Sequence, residues 1–217
     1  MSKLVWDQTG AKLYETGVEQ VALYPQVSGE YPKGAAWNGI TALNLTPSGG
    51  EPTALWANNR KYLTLMSVEE LGGTIEAYTY PKEWEACDGS AELVPGVKLG
   101  QQPRQAFGLV AKTLIGNDTE QNKHGYKLHL IYGGLASPSE KAYSSINDSP
   151  EVEAMSWEFS TTPVEVTGHE ATSYICIDST TVDADKLAAL EAILYGSESE
   201  EARLPLPSEI AEMMKTA

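Results

Sequence analysis

Phenylalanine is nearly missing from this chain: two residues in 217, against 11 Tyr and 5 Trp. Its aromatics are therefore amphipathic, an apolar ring with a polar tip, which suits half-buried faces and interfaces. Cysteine is as scarce, with only Cys87 and Cys176 in unlike surroundings. The opening MSKLVWDQTG lacks the apolar core of a signal peptide, so both thiols are expected to be reduced and structural and the chain cytosolic in origin. No run approaches the roughly 20 apolar residues of a membrane span. Positive charge is also short: 15 Lys and Arg face 30 Asp and Glu, a formal charge of −15. Such a surface repels phosphate backbones and anionic membranes, which argues against sequence-specific nucleic-acid binding and against membrane attachment.

What remains is ordinary for a soluble globular domain, at 41% hydrophobic and 21% charged residues. A chain of this length can bury about 70% of its unfolded surface. Short alternating segments predict strands near 12–16, 19–24, 36–45, 61–66, 74–80, 106–115, 126–132, 152–161 and 172–178. In 126–132, Tyr126, Leu128, Leu130 and Tyr132 alternate with Lys127 and His129, the pattern of a half-buried strand. Gly72-Gly73 is expected to open the strand at 74–80, and 82–87 to form one helical turn closed by Asp88-Gly89. The stretch TPSGGEP (46–52) reads as a loop, Asn58-Asn59 as a turn, and 137–150 as a polar linker.

One helix is well marked. Asp183 can cap it, Leu187, Leu190 and Leu194 form an i, i+3, i+7 stripe, and Gly196 can close it, with a second helix expected after Pro207. The expected fold is α+β: an antiparallel β-sandwich with a flanking α-helix, one domain over 1–217, an extended loop at 46–59 and a C-terminal helical segment at 183–217.

The residues offer little to a catalyst. His124 and His129 have no Cys or carboxylate at ligand spacing, so no metal or other cofactor is expected. Glu83 and Glu85 flank Trp84, and Glu151 and Glu153 share a strand face, but such acid pairs arise by chance in so acidic a chain and read as solvated. No serine sits in a nucleophile elbow, and the Gly pairs at 49–50, 72–73 and 133–134 lack phosphate-loop spacing. Trp37 and Trp157 lie within strands and are expected in the core. Trp56 and Trp84, near loops, are the candidates for an interface or for stacking on a sugar.

Taken together, the segments KLYETGVEQVALYP, AAWNGITALNLTPSGGEPTALWANNRKYLTLMSVEELGGTIEAYTYPKEWEACDG, GQQPRQAFGLVAKTLIGNDT, HGYKLHLIYGGLASPSEKAYSSINDSPE and DSTTVDADKLAALEAILYGSESEEARLPLPSEI resemble the major tail proteins of siphophages, the long-tailed bacteriophages. The likeness runs along nearly the whole chain and carries no catalytic motif. It implies a tail-like β-sandwich, a virion structural protein without enzymatic activity or cofactor, made in the bacterial cytoplasm and incorporated in the viral tail. It implies self-assembly into stacked homo-hexameric rings that form the tail tube, with tape measure protein and other tail proteins as partners. An early loop of the family reaches a neighbouring copy. The matching segment here is 46–59, with Pro47, Gly49, Gly50, Pro52 and Trp56 as assembly residues. The family's tubes have a negative lumen. Six copies at −15 would carry −90, and DNA, with one charge per about 1.7 Å, would pass without binding. Glu76 and Glu158 are candidates to face it. The alternative from the residues alone is a carbohydrate-binding β-sandwich module of a phage tail.

Overall fold

The computed structural model describes residues 3–143, 145, 148 and 152–215. Along them run β1 (Tyr14–Pro25), β2 (Ala35–Ala36), β3 (Ile40–Gly49), β4 (Pro52–Ala57), β5 (Arg60–Met66) and β6 (Glu69–Ala77). A single turn, α1 (Trp84–Cys87), leads to the hairpin β7 (Ala91–Val94) and β8 (Val97–Leu99). The long strands β9 (Phe107–Asn117) and β10 (Gln121–Ala136) follow, then β11 (Met155–Thr161), β12 (Tyr174–Asp178), α2 (Ala184–Tyr195) and α3 (Pro207–Met214).

Among the described residues every strand pairing is antiparallel, and β10 joins two layers. Its first part lies between β9 and β12, in a sheet ordered β2-β1-β9-β10-β12. Its last residues, Gly134 to Ala136, pair with Thr161 to Phe159 of β11, which opens the second sheet β11-β6-β3. The switch falls at Gly133, where the register slips and φ is +62°. A Cβ there would lie 2.1 Å from the Thr162 carbonyl oxygen, so only glycine fits this corner.

Strand alternation then builds two cores from one sheet. Val21, Leu23, Leu109, Ala111 and Ile131 face the second sheet and meet Ile75, Trp157 and Phe159. Their neighbours Ala22, Tyr24, Val110, Leu128, Leu130 and Tyr132 face the helices and meet Leu187, Leu190, Leu194, Leu204 and Ile210. The first sheet is thus buried on both faces and the molecule has three layers. Each fully buried leucine contributes about 1.5–3 kcal/mol. The scarcity of Phe has a physical reason in the second core, because Tyr24 donates to the Leu194 carbonyl at 2.6 Å and Tyr132 to the Pro205 carbonyl at 2.9 Å. Both hydroxyls lock the helical layer to the sheet, which a phenyl ring cannot do.

The α+β antiparallel sandwich and the helix marked by Asp183 agree with expectation. Asp183 accepts from the Asp185 and Lys186 N–H groups, each at 3.1 Å, and the three leucines of the stripe are buried. Several readings need correction. The segments 12–16 and 19–24 form one strand, β1, interrupted by register shifts around a left-handed Gln20 (φ +49°). Strand β6 starts at Glu69, so Gly72-Gly73 lies inside it rather than opening it, and it ends at Ala77. Most of the expected loop at 46–59 is strand, the end of β3 and all of β4, while Asn58-Asn59 form the expected turn. Pro47 is tolerated because, among the described residues, β3 pairs only with β6, leaving its other edge without a partner to donate to. The hairpin β7–β8 went unpredicted. Parts of the expected linker 137–150, with Glu151, and the last two residues of 183–217 lie outside the described residues.

Candidate functional site

The β3–β6 ladder continues past the sandwich to Gly49 opposite Glu69, and beyond it stands the hairpin β4–β5. The crossing is sterically tight. Gly49 has φ +81°, and a Cβ on it would lie 2.3 Å from the Val68 carbonyl oxygen; Gly50 follows, also left-handed at φ +69°. Pro52 then opens β4 opposite Met66. At the far end Asn58 and Asn59 both hold positive φ (+53° and +57°) between the paired Ala57 and Arg60. That is the two-residue turn whose twist suits a hairpin. At about 3.3 Å per residue each strand of this arm is roughly 20 Å long.

From Pro52 to Met66 only Ala54 is even partly covered. Leu55 pairs with Leu63 and Thr53 with Leu65, so one face of the ribbon carries three exposed leucines. Trp56 is 70% exposed opposite Lys61, and the register slip beside it makes Tyr62 an extra, exposed residue. Isolated two-stranded ribbons are marginal in water, and exposed apolar ribbons invite pairing or docking. Of the predicted residues, Pro47 and Gly49 end β3, Gly50 lies at the crossing, Pro52 opens β4 and Trp56 stands near the tip of the arm. Sequence reasoning missed Leu55, Tyr62, Leu63 and Leu65. The signal for them was the alternation on both sides of Asn58-Asn59.

A second exposed hairpin, β7–β8, shows Leu93, Val94, Val97 and Leu99 to solvent. It is tied back by the ion pairs Lys82–Glu92 (2.9 Å) and Lys98–Glu85. The Pro95-Gly96 turn between alternating AELV and VKL could have revealed it.

The remaining candidates are dispersed. Trp84, expected at an interface, is fully buried, its ring 4.7 Å from Trp37, 5.0 Å from Phe107 and 5.7 Å from Trp157. Trp37 and Trp157 are in the core as expected. Glu85 is held by Lys98 while Glu83 is exposed, so the two do not converge on a shared site. Cys87 is buried, which pushes its thiol up to about 12 and leaves it unreactive. Cys176, expected to be structural, is exposed instead. His124 lies 2.6 Å from Glu120. Among the described residues no three of His, Cys, Asp and Glu gather as a metal site would require.

His129 is not on a solvated face but in a half-buried polar cluster lining a cleft of about 440 Å³. Its Nδ1 is 2.6 Å from the Tyr174 hydroxyl and its Nε2 2.8 Å from the Thr113 hydroxyl. Thr113 donates to Glu15 at 2.7 Å, and Lys127 reaches the same carboxylate at 2.7 Å. With the Thr113 hydrogen committed to Glu15, His129 donates from Nε2 and accepts from Tyr174. Both ring nitrogens are therefore occupied inside the cluster. Burial lowers the His129 pKa, and the bond from Lys127 lowers that of Glu15. The cluster pins β1 to β9 and β10.

No protein-family model matches the chain, and no curated protein matches its sequence. No helix in the described residues is long and apolar enough to cross a membrane.

Proposed function

We propose that this protein is a self-assembling virion subunit, a siphophage tail-tube protein whose copies form stacked rings around a channel for DNA. The observation that carries this reading is the arm of 52–66, a folded ribbon that presents leucine, tryptophan and tyrosine to solvent without covering any part of its own body. Such a surface gains stability only when another molecule covers it.

A second observation supports the channel. On the outer face of the second sheet lie Asn44 and Ser48 of β3, Glu70, Thr74 and Glu76 of β6, and Ser156, Glu158 and Ser160 of β11, in register. Their alternates, Leu43, Leu45, Ile75, Trp157 and Phe159, point into the core. No Lys or Arg occurs in β3, β6 or β11. A face of small polar groups and carboxylates, without cations, suits a wall past which a polyanion slides. Glu76 and Glu158 are neighbours on this face. The role needs no catalytic group and no cofactor, and tape measure and other tail proteins are its further partners.

Electron microscopy of the purified protein across a concentration series tests the reading, with rings or tubes as the expected result and a monomer at every concentration as the contrary one. A sugar-binding module is the competing role, and with Trp84 buried it rests on Trp56 and Tyr62 alone. It predicts glycan binding by a monomer, lost in Trp56→Ala.

A further inference from the structure

The arm bears an unusual charge for so acidic a chain. Its tip holds Arg60 and Lys61 next to Trp56 and Tyr62, and neither cation has an ion-pair partner among the described residues. The body carries the complement. Beside β2 lies a cleft of about 520 Å³, walled by Val21, Ala22, Ala36, Trp37, Leu194 and Tyr195. Strand β2 has only two residues and pairs on one side with β1, so among the described residues its outer edge is unpaired. Tyr195 and Ala202 close the cleft and at the same time begin and end the neighbouring loop, where Glu198, Glu200 and Glu201 are all exposed. Three exposed carboxylates thus stand on the loop beside an apolar recess, against the cations Lys33 and Arg203, the latter already paired with Glu209.

The geometry points to this cleft as the receptor for the arm of a second copy: Trp56 and Tyr62 enter the recess beside β2 while Arg60 and Lys61 meet the acidic loop at 197–201. The assignment rests on the self-assembly reading and names its contact. A protruding tip and a recess on different parts of one chain make a head-to-tail contact, which propagates from copy to copy instead of closing a pair. Buried aromatics ringed by charge pairs are also how interfaces concentrate binding and set register. The acidic loop thereby gains a role distinct from the cation-free face of the second sheet.

Charge reversal tests it. One variant, R60E/K61E, reverses the arm; another, E198K/E200K/E201K, reverses the loop. Both change exposed side chains, and each monomer should melt as the wild type does. Each alone should raise the concentration needed for assembly by about tenfold or more. Mixed in equal amounts, the two should assemble again, because each reversed arm meets a reversed loop on the other variant. Zero-length carbodiimide coupling of wild-type assemblies should also join Lys61 of one copy to a glutamate of 198–201 on another. If loop reversal leaves assembly unchanged, or mixing does not restore it, the receptor assignment is wrong while self-assembly stands. If wild-type protein never assembles, both fall together.

Discussion

The three-layer body and the β4–β5 arm are built from the same strand-forming residues but put them to opposite use. In the body, Leu109, Leu128, Leu130 and Ile131 are fully buried, and both faces of one sheet are covered. In the arm, Leu55, Leu63 and Leu65 alternate as regularly and cover nothing. The body holds its aromatics in contact, with Trp37, Trp84 and Trp157 within 5.7 Å of one another. The arm holds Trp56 and Tyr62 out to solvent. Hydrophobic burial is the same physical currency in both places, so the difference teaches what the proposal must explain: the body is completed within one chain, and on the proposed reading the arm is completed between chains.

That contrast can be broken from either side. The largest effect is expected in the body, where Trp157→Ala should cost about 3–5 kcal/mol in urea unfolding because it leaves a cavity among Trp37, Tyr80 and Trp84. A loss under 1 kcal/mol would mean that the aromatic cluster is not holding the sheets together. Asp183→Ala removes the acceptor for two helix N–H groups and should cost about 1 kcal/mol, read as a lower Tm.

Acid should act next, on the Glu15–His129 cluster. Both groups have folded pKa values lowered from their ordinary 4.5 and 6.5. A lowered value means that the unfolded chain binds protons first, so the stabilisation is complete above pH 6.5 and is lost as pH falls, through His129 and then Glu15. The wild-type unfolding free energy should fall between pH 7 and 4, and Glu15→Gln with His129→Asn should flatten that slope by less than about 1 kcal/mol, since Glu15 is partly exposed. A wild-type slope unchanged in the double variant would place the acid sensitivity elsewhere. The smallest effect on the monomer belongs to the arm, where Leu63→Ser should move stability by no more than about 0.5 kcal/mol. The same change should weaken assembly.

Legibility in the sequence follows the range of the interactions involved. The helix at 184–195 was readable because cap, stripe and stop all lie within one short segment. The strand at 126–132 was readable as strand, yet its faces were not: alternation marks Leu128 and Leu130 against Lys127 and His129, while coverage of the second face depends on β3 and β11, far away in the chain. Trp84, near loops, read as an interface residue because its burial comes from Phe107 and Trp157, far from it in sequence. The arm was legible only in part: β5 was read as the strand 61–66, while β4 was taken into a loop at 46–59, since Pro47, Gly49 and Gly50 suit an edge and a crossing as well as they suit a turn. The cleft proposed as the receptor had no local signature, being assembled from β1, β2 and the end of α2.

The central claim is that the arm joins copies of this chain and adds nothing to the fold of one. It is tested most directly by sedimentation velocity on the wild type beside a variant in which 51–67 is replaced by Asn-Gly, closing β3 onto β6. The wild type should form large concentration-dependent assemblies, and the variant should sediment as a folded monomer with an unchanged Tm. Identical sedimentation of the two proteins would contradict the account.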